Sequence, residues 1–318
     1  MTTGITDTIS TGASSEGVPV ETAFAKKGAS SSAGRSGGMA WLYVSPLVLI
    51  LIPFFIAPIF VVVVASFLEN DGFGGMLPHF TLANYASVFS AELTLRLYAS
   101  TVKFAVLTWA GTLIIGFWIA YFLVFHVRNQ LLAIGLFLLC TVPFWTSNII
   151  RMISWIPLRG KNGLVNSILI SAGIIHQPLE FLLFSDFAVV VAYVHQLTIF
   201  MIVPIFNAMS RIDKRTVEAA LDAGASRFEI MRYIIVPLSK NGIALGSIFV
   251  LSIVMGDFFV VKVMSGGGSA SIVSALFEDI AVLQYPPAAA SAVVLLIVVV
   301  TMIALILRTV DVRKEIAR

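Results

Sequence analysis

Residues 36–68 contain no charged side chain, and comparably uncharged apolar runs recur at 104–127, 131–150, 187–209, 242–261 and 287–307. About 20 such residues cross the hydrocarbon core of a bilayer as a helix. A backbone in lipid must satisfy its own polar groups, which leaves helices or closed barrels as spanning structures. The chain is 58% hydrophobic and 12% charged over 318 residues, about half the charge of an ordinary soluble domain. A soluble fold cannot hide that much apolar surface. The prediction is an all-α integral membrane protein with six spans, at about 41–67, 104–127, 131–150, 187–209, 242–261 and 287–307.

Pro46, Pro53 and Pro58 predict a bent first span, because each removes a backbone donor. Residues 1–38 are rich in Ser, Thr, Gly and Ala and read as a disordered tail, lacking the apolar surface to offset ordering. They hold no early apolar segment of the secretory kind. The span-bearing body runs over 39–310, and 311–318 is a second tail. Cys140 is the only cysteine, so an intrachain disulfide or a cysteine metal cluster is excluded. The stretch 162–179 is uncharged, but Asn162, Asn166, Ser167, Ser171, His176 and Gln177 make it too polar for lipid; it reads as an extramembrane or interfacial helix.

Six spans place both termini and the loops at 126–130 and 210–240 on one side. Of the 20 Lys and Arg residues, only Arg96, Lys103, Arg151, Arg159, Lys161 and Lys262 fall on or near the other. The excess of Lys and Arg marks the first side as cytoplasmic.

The segment Thr216–Pro237 is the longest run rich in both charge signs. Asp213 can cap a helix reaching about Ala223, with Val217, Ala220 and Leu221 on one face. Gly224 stands where a helix end needs positive φ. Ser226 and Glu229 have capping-box spacing for a second helix, which Pro237 is expected to close. A helix–glycine–helix hairpin at a membrane surface suits docking. A DNA-reading helix-turn-helix is the wrong alternative, since some thirty residues tethered to spans leave no independent core.

The order Glu218-Ala219-Ala220, three residues, Gly224, nine residues, Ile234, one residue, Val236-Pro237 is similar to the EAA loop of ABC importer permeases. Only Val236 departs, where that family usually has Leu. The resemblance implies a six-span type I importer transmembrane domain whose hairpin sits in a groove of a cytoplasmic ATPase. Glu218, Ala219, Ala220, Gly224, Ala225, Ser226 and Arg227 would then be the coupling residues. It further implies two ATPase copies, a second similar permease and a periplasmic solute-binding protein. No G-x-x-x-x-G-K-[ST] occurs, nor H-E-x-x-H or G-x-S-x-G. The chain therefore reads as a transport subunit and not an enzyme, with no cofactor bound directly and ATP with Mg on the partner. Nucleic acid is not an expected partner. A secondary transporter or channel is the alternative class, and it needs mid-membrane carboxylates or a filter.

Pro143-Phe144-Trp145-Thr146-Ser147-Asn148-Ile149-Ile150-Arg151, Trp155, Arg159-Gly160-Lys161-Asn162-Gly163 and Asn166 resemble the spermidine/putrescine-type permeases. Val254-Met255-Gly256-Asp257-Phe258 does too. This implies a small cationic solute of the polyamine kind, while related permeases carry opines, ferric iron or thiamine. Trp145, Arg151, Trp155, Asp257 and Phe258 are the candidate pathway residues. Asp257, four residues inside the expected fifth span, reads either as a solute counter-charge or as the partner of Lys262 or Arg151 in helix packing. Trp145, Trp155, Phe258 and Phe259 are candidate cation–π surfaces. Arg151 equally suits an interfacial snorkelling position, and Trp155 an aromatic belt. Glu278 and Asp279 read as a solvated helix face or a docking site for the binding protein. Gly242 and Gly246 form a small-xxx-small packing surface.

Overall fold

The computed structural model describes residues 45–71 and 73–308, so the expected tails at 1–38 and 311–318 lie outside the described residues. The chain divides into two compact units, Met1–Pro58 and Ile59–Arg318. The described part of the first unit is the start of helix α1, Ser45–Ala65. Ile52–Ile56 of this helix is π-helical, with Pro53 within its first two positions. The wider turn accommodates a residue that cannot donate an N–H. None of Ser45–Ala65 is buried.

In the second unit, β1 (Leu68–Asn70) and β2 (Met76–Phe80) form a small antiparallel ribbon. Then follow α2 (Ala83–Ser90), α3 (Glu92–Tyr121), α4 (Gln130–Thr141), α5 (Asn148–Arg159), α6 (Leu164–Ser171), α7 (Asp186–Met209), α8 (Lys214–Asp222), α9 (Arg227–Ile230), α10 (Val236–Gly256), α11 (Phe259–Met264), α12 (Ile272–Ala281) and α13 (Tyr285–Arg308). Among the described residues, five helical segments are long and apolar enough to cross a membrane: Ser45–Ala65, Glu92–His126, Glu180–Met209, Arg227–Gly256 and Tyr285–Arg308. A sixth candidate is the pair Leu131–Trp145 and Asn148–Ser171, bent by 90°.

Several boundaries differ from expectation. The second span begins at Glu92, twelve residues before the uncharged run, because Glu92 opens the helix and pairs with Arg96 one turn on at 2.6 Å. The third does not run straight to 150. Pro143 lies in a 3₁₀ turn, Val142–Trp145, and the chain swings into α5. The fifth helix ends at Gly256 instead of 261. The stretch 162–179 contains the eight-residue α6 and a loop.

The packed centre is α3, α7 and α10. Phe104, Tyr193, Met201, Ile205 and Val250 are fully buried there. Close approach is set by small residues: a Cβ on Gly242 would lie 2.4 Å from the Pro204 carbonyl oxygen, and one on Gly246 2.7 Å from Met201 Sδ. The glycine pair is thus a packing surface against α7. Trp109 Nε1 donates to Ser247 Oγ at 2.7 Å and Tyr98 Oη to the Ser291 carbonyl at 2.7 Å. Each bond joins two helices and satisfies a half-buried donor.

Candidate functional site

The hairpin between α7 and α10 is built from local chemistry. Asp213 Oδ1 accepts the Arg215 N–H at 2.9 Å and so caps α8. At the other end the Gly224 N–H bonds to the Leu221 carbonyl at 2.9 Å and the Ala225 N–H to the Ala220 carbonyl at 3.0 Å. This is a Schellman ending, and its left-handed residue is Gly224 at φ +87°. Ser226 and Glu229 then form a reciprocal capping box that opens α9.

Val217, Ala220, Ala225 and Ile234 pack against the core, and Ile230 and Ile235 are buried in it. Leu221, expected on the same face as Val217, is instead 48% exposed, with Phe228 at 68% and Tyr233 at 69%. A helix of nine residues buries one narrow stripe, and Leu221 falls outside it. Glu218, Ala219, Gly224, Ser226 and Arg227 are exposed, while Ala220 and Ala225 are half-buried. Ala223, Gly224, Ala225, Glu229, Ile230, Tyr233 and Ile234 line a groove of ≈ 410 Å³.

Pro237 does not close the second helix. The helix runs unbroken from Arg227 to Gly256 through a π turn at Met231–Ile235, and Pro237 sits in the first turn of α10. The π turn takes up the donor and space that proline denies its preceding turn. At 1.5 Å per residue the segment is about 45 Å long. It connects the hairpin directly to the break at Asp257.

At that break Asp257 has extended backbone, φ −97° and ψ 133°, so it lies just past a helix end and not four residues inside a span. Its Oδ1 accepts the Val260 N–H at 2.9 Å, capping α11, and the Tyr193 hydroxyl at 3.2 Å. The two ion pairs considered for Asp257 do not form. Lys262 Nζ lies over the Phe277 ring at 5.2 Å, and Phe258 stacks on that same ring at 4.6 Å. Arg151 Nη2 donates to the Thr146 carbonyl at 2.8 Å.

Trp155 meets His195 edge-on at 5.3 Å and carries the Arg159 guanidinium at 5.0 Å. Trp145 is 84% exposed at the bend and makes no hydrogen bond or ring contact among the described residues. Asp257 and Phe258 therefore stand together at one break, Arg151 and Trp155 stand on α5, and Trp145 stands alone. One residue at the break has no counterpart in the sequence reading: Tyr193, fully buried beneath Asp257. Arg159, named there only within a motif, is 4% exposed. Tyr193-Val194-His195-Gln196, a polar cluster inside an apolar span, was the available signal. Among the described residues no cluster of three His, Cys, Asp or Glu side chains is placed to hold a metal ion.

Long apolar helices, a 90° broken span and a capped hairpin leading into the penultimate span define a polytopic transport permease. The chain belongs to the family of binding-protein-dependent transport system inner membrane components, whose model matches residues 112–314. It is accordingly a multi-pass inner-membrane permease subunit of the type I ABC importer class. It is 32% identical over 216 residues to the spermidine/putrescine transport system permease protein PotB of Haemophilus influenzae, covering 68% of this chain and 74% of that one. The Escherichia coli PotB is 31% identical over 216 residues, with 68% and 77% covered. The trehalose/maltose permease MalF of Thermococcus litoralis is 26% identical over 246 residues, with 76% and 82% covered. A chain of a bacterial alginate ABC transporter, solved with an alginate pentasaccharide-bound periplasmic protein, superposes with a TM-score of 0.66. That match has 14% identity over 85% of this chain and 92% of that one, a likeness of fold.

Proposed function

We propose that this permease carries a small cationic solute of the polyamine class into the cytoplasm by alternating access. In this reading the termini and the Thr216–Pro237 hairpin are cytoplasmic. The hairpin, with Glu218, Ala219, Ala220, Gly224, Ala225, Ser226 and Arg227, seats in a groove of an ABC ATPase. Two ATPase copies hydrolyse ATP with Mg, a second similar permease completes the membrane pair, and a periplasmic binding protein delivers the solute. The excess of Lys and Arg on the hairpin side supports this orientation.

The observation that carries the coupling role is the continuity of hairpin and span. Exposed Leu221 and Phe228 sit on a hairpin stiffened by three caps. A continuous helix then runs from Arg227 to Gly256. A displacement at the hairpin is therefore delivered to the Asp257 break as a lever movement, and does not dissipate in a loop. The polyamine reading rests on the identity to the two PotB permeases and on the carboxylate at that break.

The test is uptake of labelled spermidine into proteoliposomes carrying the complete importer with its binding protein. Uptake should require ATP and Mg inside the ATPase compartment and be indifferent to ion gradients. Uptake driven by a proton or sodium gradient without ATP would overturn the reading.

A further inference from the structure

We infer that the break between α10 and α11 is an ammonium subsite, with Asp257 as its ligand, Gly256 as its opening and Tyr193 as the residue that positions it. This rests on the reading of the chain as a permease for small cationic solutes.

An ionised carboxylate has about four lone-pair sites on two oxygens. In Asp257 one oxygen is occupied twice: Oδ1 takes the Val260 N–H at 2.9 Å and the Tyr193 hydroxyl at 3.2 Å. The same hydroxyl lies 3.4 Å from the Asp257 carbonyl oxygen, so the phenol holds both the backbone and the side chain of the break. Oδ2 has no hydrogen-bond partner among the described residues, and Asp257 is only half-buried. Tyr193 itself is 0% exposed, locked in the α3–α7–α10 core, so it is a fixed post and not a mobile contact. One oxygen is thus committed to the fold and the other is held ready.

Room for a ligand is present beside it. A Cβ built on Gly256 would meet nothing within 4 Å, unlike Gly242 and Gly246 on the same helix. The local field is set for a cation as well. The carbonyl end of α10 points at the break, and a helix C-terminus carries partial negative charge. Lys262, the nearest cation in sequence, is engaged over Phe277 and forms no ion pair with Asp257. A carboxylate just past the end of a span and without a counter-ion faces an aqueous path or a bound cation. An alkylammonium group supplies three donors and one positive charge, and the open space at Gly256 leaves it access to Oδ2.

The experiment uses the complete importer in proteoliposomes, with labelled putrescine and spermidine as probes. Tyr193→Phe keeps the packed ring and removes the hydroxyl. KM for both amines should rise about tenfold, with a smaller change in Vmax, while the melting midpoint falls by no more than the loss of one hydrogen bond allows. Asp257→Asn can still accept the Val260 N–H but loses the charge, and should raise KM further. Gly256→Ala adds a methyl that meets no protein atom, so it should leave the melting midpoint in place while raising KM. Amine uptake with KM unmoved in all three variants overturns the subsite alone. A lowered midpoint with unchanged KM in Tyr193→Phe reduces that residue to packing and likewise overturns its positioning role. Absence of amine uptake by the unaltered importer overturns the solute class, and the subsite with it.

Discussion

Ser226 and Glu229 cap each other: the Ser226 N–H donates to Glu229 Oε2 at 2.7 Å and the Glu229 N–H to Ser226 Oγ at 3.3 Å. Two donors that a helix start would leave to water are satisfied within four residues. With Asp213 and Gly224 this makes the hairpin a stiff body whose exposed Leu221 and Phe228 are held at fixed positions.

Ser226→Ala should therefore loosen α9 by about 1 kcal/mol, the usual worth of such a cap. Hydrogen exchange at the amides of residues 227–230 should accelerate roughly fivefold for that energy, while Ser226→Thr should stay near the parent. Unchanged exchange in the alanine variant would mean that the capping box contributes nothing to hairpin order.

Packing of α10 on α7 depends on Gly242. A Cβ there meets the Pro204 carbonyl oxygen at 2.4 Å and Ala208 Cβ at 2.6 Å, atoms that move only with the backbone. Gly242→Val should lower stability by about 1–3 kcal/mol through overpacking, read as a lower thermal midpoint in detergent. Gly135→Ala in α4, where nothing lies within 4 Å, should hold or raise that midpoint. Equal behaviour of the two variants would contradict the assigned helix contact.

Asp279 gives a pH dependence. Burial, and then the charge of neighbouring Glu278, hold its carboxyl above the ordinary carboxylate range. Folding thus favours the protonated form, so ionised Asp279 subtracts stability at neutral pH. That penalty is absent below the unfolded value of about 3.9 and grows as pH rises through the raised folded value. Asp279→Asn should melt higher than the parent at pH 7, with the difference vanishing near about pH 3–4. A difference that persists undiminished in acid would locate the gain elsewhere.

Local chemistry was legible in the sequence and tertiary chemistry was not. The caps at Asp213, Gly224 and Ser226 each depend on residues within five positions, and their spacing is visible along the chain. Five of the six charge-free runs fall on long apolar helices, and the run at 131–150 falls on the bent pair. The role of Pro237 was misread because proline usually ends a helix; the π turn before it leaves no compositional trace. Val217 and Leu221 look equivalent in an amphipathic pattern, and only the core decides which one it covers. The partner of Asp257 lies 64 residues away on another helix, beyond any periodicity argument. Lys262, five residues away, was the obvious candidate and went to an aromatic ring.

If the hairpin couples a motor to the spans, Gly224 is the position at which that coupling should break. Its φ of +87° and its N–H bond to the Leu221 carbonyl are both denied to proline, which fixes φ near −65° and has no donor. The measurement is ATP hydrolysed per solute imported, by the reconstituted importer carrying Gly224→Pro. The variant should still insert and assemble, with uptake falling to background and hydrolysis no longer following solute. Import at the unaltered ratio of ATP to solute would contradict the coupling role.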